Sequence, residues 1–106
     1  MKKSDSELKN SIQWIIPNAQ KNTMEPILLT LEQGGSTYPD NPHEGEEFGY
    51  VLKGSVEIHI GGKIYKAKKG ESFYYEAKYS HHIESKKGCN NNMGKFTTEF
   101  LKISKQ

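Results

Sequence analysis

Arginine is absent from this 106-residue chain, and lysine supplies all 15 basic residues. Without a guanidinium the chain lacks the bidentate reader of guanine edges and phosphates, so this segment is expected to make no direct contact with nucleic acid. The 13 acidic residues leave a net charge of only +2. Cysteine is nearly missing too: a lone Cys89 cannot form an intramolecular disulfide, and no paired histidine-base motif surrounds it to make a nucleophile. Nothing approaches the roughly 20 consecutive apolar residues of a membrane-spanning helix, and Met1–Gln20 lacks the apolar run of a signal peptide. The expectation is a cytoplasmic, reducing setting with no membrane partner. Helical periodicity is also wanting, since no segment longer than about ten residues carries it.

What is present is a set of short alternating runs. Only 33% of residues are hydrophobic, but they cluster in these runs, which suits a thin-walled β-barrel of one domain with one small core. Met1–Ser11 is polar and lysine-rich and reads as a flexible lead-in, leaving residues 12–106 as the domain. Strands are expected at Ile12–Ile16, stopped by Pro17-Asn18, and at Pro26–Leu31. A turn-rich loop from Gly34-Gly35 through Pro39, Asp40 and Pro42 then delivers Asn41 and His43. Further strands are expected at Glu47–Lys53, Ser55–Ile60, Lys63–Ala67, Ser72–Glu76, His81–Ser85 and Phe96–Ile103, with a loop over Lys86–Gly94. Gly61-Gly62 forms a two-residue hairpin turn, because both positions can take positive φ.

Alternation assigns faces. Glu47, Gly49 and Val51 share one side of their strand, and Phe48, Tyr50 and Leu52 the other. If Glu47 points into the barrel, an apolar stripe faces out, and either a homodimer interface or a covering strand such as Ile12–Ile16 has to account for it. His82 alternates with His81 and reads as a surface side chain. His59, between Ile58 and Ile60, reads as an outer-face residue, and Lys66, Lys68 and Lys69 as a solvated edge.

The chemistry concentrates in two patterns, Gly35–x5–Asn41–x–His43–x3–Glu47–x6–Gly54 and Gly70–x5–Glu76–x4–His81. Two imidazoles and a carboxylate with open positions opposite form the usual first shell of a catalytic or substrate-binding divalent ion. The alternative is a loop histidine beside a solvated glutamate, in a stretch that also holds Glu44 and Glu46. Tyr74 and Tyr79, with Phe73 and Tyr75, either line a ligand pocket or fill the barrel.

These patterns resemble the two motifs of the cupin superfamily, the double-stranded β-helix or jelly-roll barrel. The first, G-x5-H-x-H-x3,4-E-x6-G, falls on Gly35, Asn41, His43, Glu47 and Gly54. The second, G-x5-P-x-G-x2-H-x3-N, keeps only Gly70 and His81, with Glu76 and Ser85 in place of its proline and asparagine. The runs Met24–Leu31, His43–Gly54 and Lys69–Tyr75 are similar to the C-terminal cupin sensor of bacterial regulators that carry an N-terminal helix-turn-helix. Here the lead-in is too short for such a domain, so the chain is expected to be either a piece of a longer regulator or a stand-alone relative.

The resemblance implies a metal set of Asn41, His43, Glu47 and His81, taking iron, manganese, zinc or nickel. Asn41 in place of the first histidine weakens that set toward nitrogen-preferring ions. It also implies a module that senses a small polar metabolite and dimerises, without catalysis. The competing expectation is a small metal-dependent dioxygenase or isomerase using His43, Glu47 and His81.

Overall fold

The computed structural model describes residues 2–16, 24–39, 41–85 and 97–105, and every assigned element is a β-strand. In chain order these are β1 (Lys2–Asp5), β2 (Asn10–Trp14), β3 (Met24–Glu32), β4 (Glu46–Lys53), β5 (Ser55–Ile60), β6 (Lys63–Lys68), β7 (Ser72–Glu76), β8 (His81–Glu84) and β9 (Thr97–Lys105). They form a six-stranded sheet, β1-β2-β3-β9-β4-β7, and a three-stranded sheet, β6-β5-β8. All pairings within both sheets are antiparallel.

The core lies where the two sheets face each other. Every second residue of β3 turns inward, burying Ile27, Leu29 and Leu31, and these meet Val51 of β4, Val56 and Ile58 of β5, Ile83 of β8 and Phe100 of β9. Such alternation, apolar inside and polar outside, follows from the two-residue repeat of the strand. Gly61 and Gly62, at φ 53° and 86°, make the β5–β6 hairpin as expected, since only glycine takes that pair of angles without a steric cost. Gly49 matters for a different reason. It lies opposite Phe73 in the β4–β7 pairing, and any Cβ there would overlap the Phe73 ring.

Two expectations are revised. Lys2–Asp5, assigned to a flexible lead-in, forms β1 and pairs with β2 from Lys2↔Gln13 to Asp5↔Asn10. The cause is local hydrogen bonding: Asp5 Oδ1 accepts from the backbone N–H of Glu7 and Leu8, which folds the chain back on itself. The buried Asn10 then donates through Nδ2 to the Ser36 carbonyl at 2.7 Å. The strand is polar because it is an edge exposed to water.

The second revision concerns β2, which pairs with β3 within the large sheet and does not cover Phe48, Tyr50 and Leu52. Those three side chains remain 39–44% exposed. Pro17-Asn18, Asp40, Phe96 and the Lys86–Gly94 loop with Cys89 lie outside the described residues.

Candidate metal centre

β4, β8 and β9 bring the site together. Glu47 is the second residue of β4 and points inward with Val51, so its carboxylate is 2% exposed. His81 opens β8 and is also 2% exposed. His43 comes from the loop before β4, which is stitched to the β7–β8 turn by His43 N–H donating to Ala77 O at 2.8 Å and Ala77 N–H donating to Gly45 O at 3.0 Å. Those two bonds hold the His43 ring 5.3 Å from the His81 ring. The expected convergence therefore forms: His43 Nε2 lies 3.6 Å and His81 Nε2 3.3 Å from the same oxygen, Glu47 Oε2.

The outer nitrogens fix the tautomers. His43 Nδ1 donates to Glu44 O at 2.9 Å and His81 Nδ1 to Tyr79 O at 2.8 Å, because a carbonyl can only accept. A singly protonated ring then presents the lone pair of Nε2 toward Glu47 Oε2, and two acceptors face each other. Only a cation between them, a proton or a metal ion, makes that arrangement favourable. Backbone carbonyls that pin the far nitrogen of a ligating histidine are the usual support of such sites. Bonds of about 2.1 Å to one ion separate neighbouring donor atoms by about 3–3.5 Å, close to the spacings found. The donor set fits a divalent ion, which would be held by His43, Glu47 and His81.

The other oxygen is committed elsewhere. Glu47 Oε1 accepts from the Tyr75 hydroxyl at 2.6 Å and lies 3.1 Å from the Lys102 ammonium. Burial pushes the Glu47 pKa up, but Lys102, Tyr75 and His81 outweigh it and hold the carboxyl below its ordinary value of 4.5. A cation so close to the carboxylate would weaken its pull on a dication.

Lys102 is not among the residues the sequence reading singles out, and Tyr75 enters that reading only as a pocket or barrel-filling side chain. The signal for Lys102 was available: it alternates with Thr98 and Phe100, all three buried, on the inward side of β9. Asn41 is exposed, two residues before His43.

The centre opens into a mouth of about 590 Å³ lined by Glu25, Ile27, His43, Glu44, Lys102 and Ser104. Glu25 is held there by the Trp14 indole, whose Nε1 donates to Oε1 at 2.8 Å. Tyr74 and Tyr79 stand elsewhere. Both are 60% exposed and border a separate cleft with Tyr65 and Phe73. The Tyr74 hydroxyl donates to Glu46, on the outer face of β4. Of the tyrosine pair on β7, Tyr75 turns inward to the centre and Tyr74 outward.

Residues 27–88 match the family model described as the cupin domain. No curated protein matches the sequence. Among solved structures, the chain is similar to an HTH_3 family transcriptional regulator from Vibrio cholerae (TM-score 0.73, 17% identity), covering 92% of this chain and 51% of that one. It therefore spans about half the length of that regulator. It is similar as well to the Cupin_2 domain of an XRE family transcriptional regulator from Enterobacter cloacae (TM-score 0.72, 14% identity, 92% and 97% covered). A predicted oxalate decarboxylase from Thermotoga maritima gives TM-score 0.73 at 21% identity, with 91% and 79% covered. At these identities the likeness establishes the fold.

Proposed function

The chain belongs to the cupin family, and on that premise we propose that it is a binding module, which takes a small polar metabolite in the mouth above His43, Glu47 and His81 and passes occupancy on through a homodimer. The observation that supports this most is the Lys102–Glu47 pair. An ammonium against the carboxylate makes the centre a weak holder of metal and supplies a fixed donor to a polar ligand. A bound ion would be held by His43 Nε2, His81 Nε2 and Glu47 Oε2, and would polarise a ligand oxygen. The mouth is within the size range of small-molecule sites, and Glu25, Glu44 and Lys102 give it polar walls of both signs.

The test is thermal denaturation against a panel of small polar metabolites, with and without Mn(II). A ligand of this mouth raises the melting temperature by mass action, and His81→Gln removes the increase. Multiple turnovers of any panel compound would contradict a binding module. They would favour the second reading, a small metal-dependent enzyme of dioxygenase or isomerase type, for which the fold shared with a predicted oxalate decarboxylase is the supporting observation.

The homodimer reading rests on the outward face of the large sheet. Phe48, Tyr50 and Leu52 of β4 stand beside Tyr74 of β7 and Leu101 and Ile103 of β9, by the registers Phe48↔Tyr74, Tyr50↔Leu101 and Phe48↔Ile103. A contiguous apolar patch on a sheet face is characteristic of a contact between copies. Tyr50→Lys, which places a charge at its centre, is expected to convert a dimer to a monomer in sedimentation velocity without loss of the β-sheet circular dichroism spectrum. A wild-type protein that sediments as a monomer at high concentration would contradict the reading.

A further inference from the structure

We infer that the outward face of the small sheet carries a second divalent-metal site, formed by His59, His82 and Glu84 with Glu57 beside them and suited to zinc or an ion of similar preference. The four residues form a two-by-two array. In the β5–β8 pairing His59 lies opposite His82 and Glu57 opposite Glu84, and the two-residue repeat puts all four on the side away from Val56, Ile58 and Ile83. The site is therefore separate from the central cluster: His81 faces the core, and its neighbour His82 faces out.

The array is an unfavourable one without a cation. Two carboxylates directly opposite across antiparallel strands repel. The same face of β6 contributes Lys66, in register with Glu57, and Ile64, in register with His59; Glu84 lies a strand further away. The imidazoles stack at 4.5 Å with their planes 16° apart, so their nitrogens sit side by side. His82 Nε2 is 2.6 Å from Glu84 Oε2. His59 Nε2 is 3.3 Å from Glu84 Oε2 and 3.6 Å from Glu57 Oε1, an approach without hydrogen-bond geometry.

Among the described residues, His59 Nε2 is the buried side-chain polar atom left without a hydrogen-bond partner. A buried polar atom so placed carries a cost that a ligated ion removes. Donor atoms of His59, His82 and Glu84 lie within 4.8 Å of one another, so small rotations of these half-buried side chains bring all three within bonding distance of one ion. Two imidazoles and a carboxylate select zinc, copper or nickel over magnesium and calcium. Among the described residues, and unlike Glu47, Glu84 has no ammonium within ion-pair distance. Such an ion ties β5 to β8, strands separated in sequence by β6 and β7.

The experiment is a calorimetric titration with Zn(II) alone, on wild-type protein, on the double variant His59→Asn/His82→Asn and on His81→Gln. The expected result is a binding event that His81→Gln keeps and the double variant loses, with affinity falling at least about 100-fold, since even partners one step removed from an ion act on that scale. Three results overturn the inference: no Zn(II) binding by the wild type, unchanged binding by the double variant, or an event lost only in His81→Gln. A second measurement needs no variant. In the imidazole nitrogen spectrum of the wild type, a stoichiometric amount of Zn(II) is expected to shift His59 and His82, and shifts confined to His43 and His81 overturn the inference. Failure here leaves the central mouth untouched, and loss of metabolite binding there leaves this site untouched.

Discussion

Lys102→Met is expected to destabilise the domain by about 3–5 kcal/mol, the cost of removing one partner from a buried ion pair. Glu47 is 2% exposed and the Lys102 side chain 11%, so the pair is buried on both sides. The carboxylate keeps the Tyr75 hydroxyl and the His81 ring, but not the charge that offsets its burial. The companion variant Glu47→Gln/Lys102→Met removes both charges and is expected to recover most of the loss. Urea denaturation of the three proteins measures this, and equal stability of wild type and Lys102→Met would show that the pair contributes nothing.

The acid limbs of the same proteins are expected to differ. In the wild type the folded Glu47 pKa is depressed, so its contribution is complete above the ordinary value of 4.5 and is lost as pH falls through the lower folded value. In Lys102→Met the chief lowering influence is gone, so the folded pKa moves up from its depressed wild-type position toward the side that burial favours. The variant then loses less stability on acidification than the wild type does, so the gap between the two proteins narrows as pH falls.

Phe100→Ala is the other large effect, with an expected loss of about 3–5 kcal/mol. Phe100 is fully buried on the central strand β9, opposite Leu29 of β3 and Val51 of β4, with the Phe73 ring 6.2 Å away. The cavity would open two residues from Lys102, on the same inward face. A domain of this size has a stability of about 5–15 kcal/mol, so much of it would be consumed. Leu101→Ala, on the outward face, serves as the control and is expected to change the monomer far less. Equal losses from both would contradict the assigned faces of β9.

Most strands could be read from the sequence because their signals are local. Ser55–Ile60 lies between glycine turns, Ser72–Glu76 follows one, and both occur with those bounds, and the outward turn of Phe48, Tyr50 and Leu52 follows from strand parity alone. His43, Glu47 and His81 were found because each sits at a fixed position in a spaced pattern, and the backbone bonds from His43 to Ala77 and from Gly45 to Ala77 are what make that pattern spatial.

What could not be read depends on pairing between distant segments. β1 has no apolar face to announce it and exists through Asp5 and Asn10. Lys102 meets Glu47 only because β9 inserts between β3 and β4, and no spacing within either strand encodes that. His59 and His82 were placed on the correct outer face from their neighbours, but their stacking rests on the β5–β8 register.

The central claim is that His43, Glu47 and His81 share one point able to hold a cation. It is tested most directly by adding substoichiometric Mn(II) to the wild type and following the four histidine side chains by NMR. His43 and His81 are expected to broaden together, and Glu47→Gln to abolish the effect. Broadening of His59 and His82 while His81 stays sharp under excess Mn(II) would contradict it.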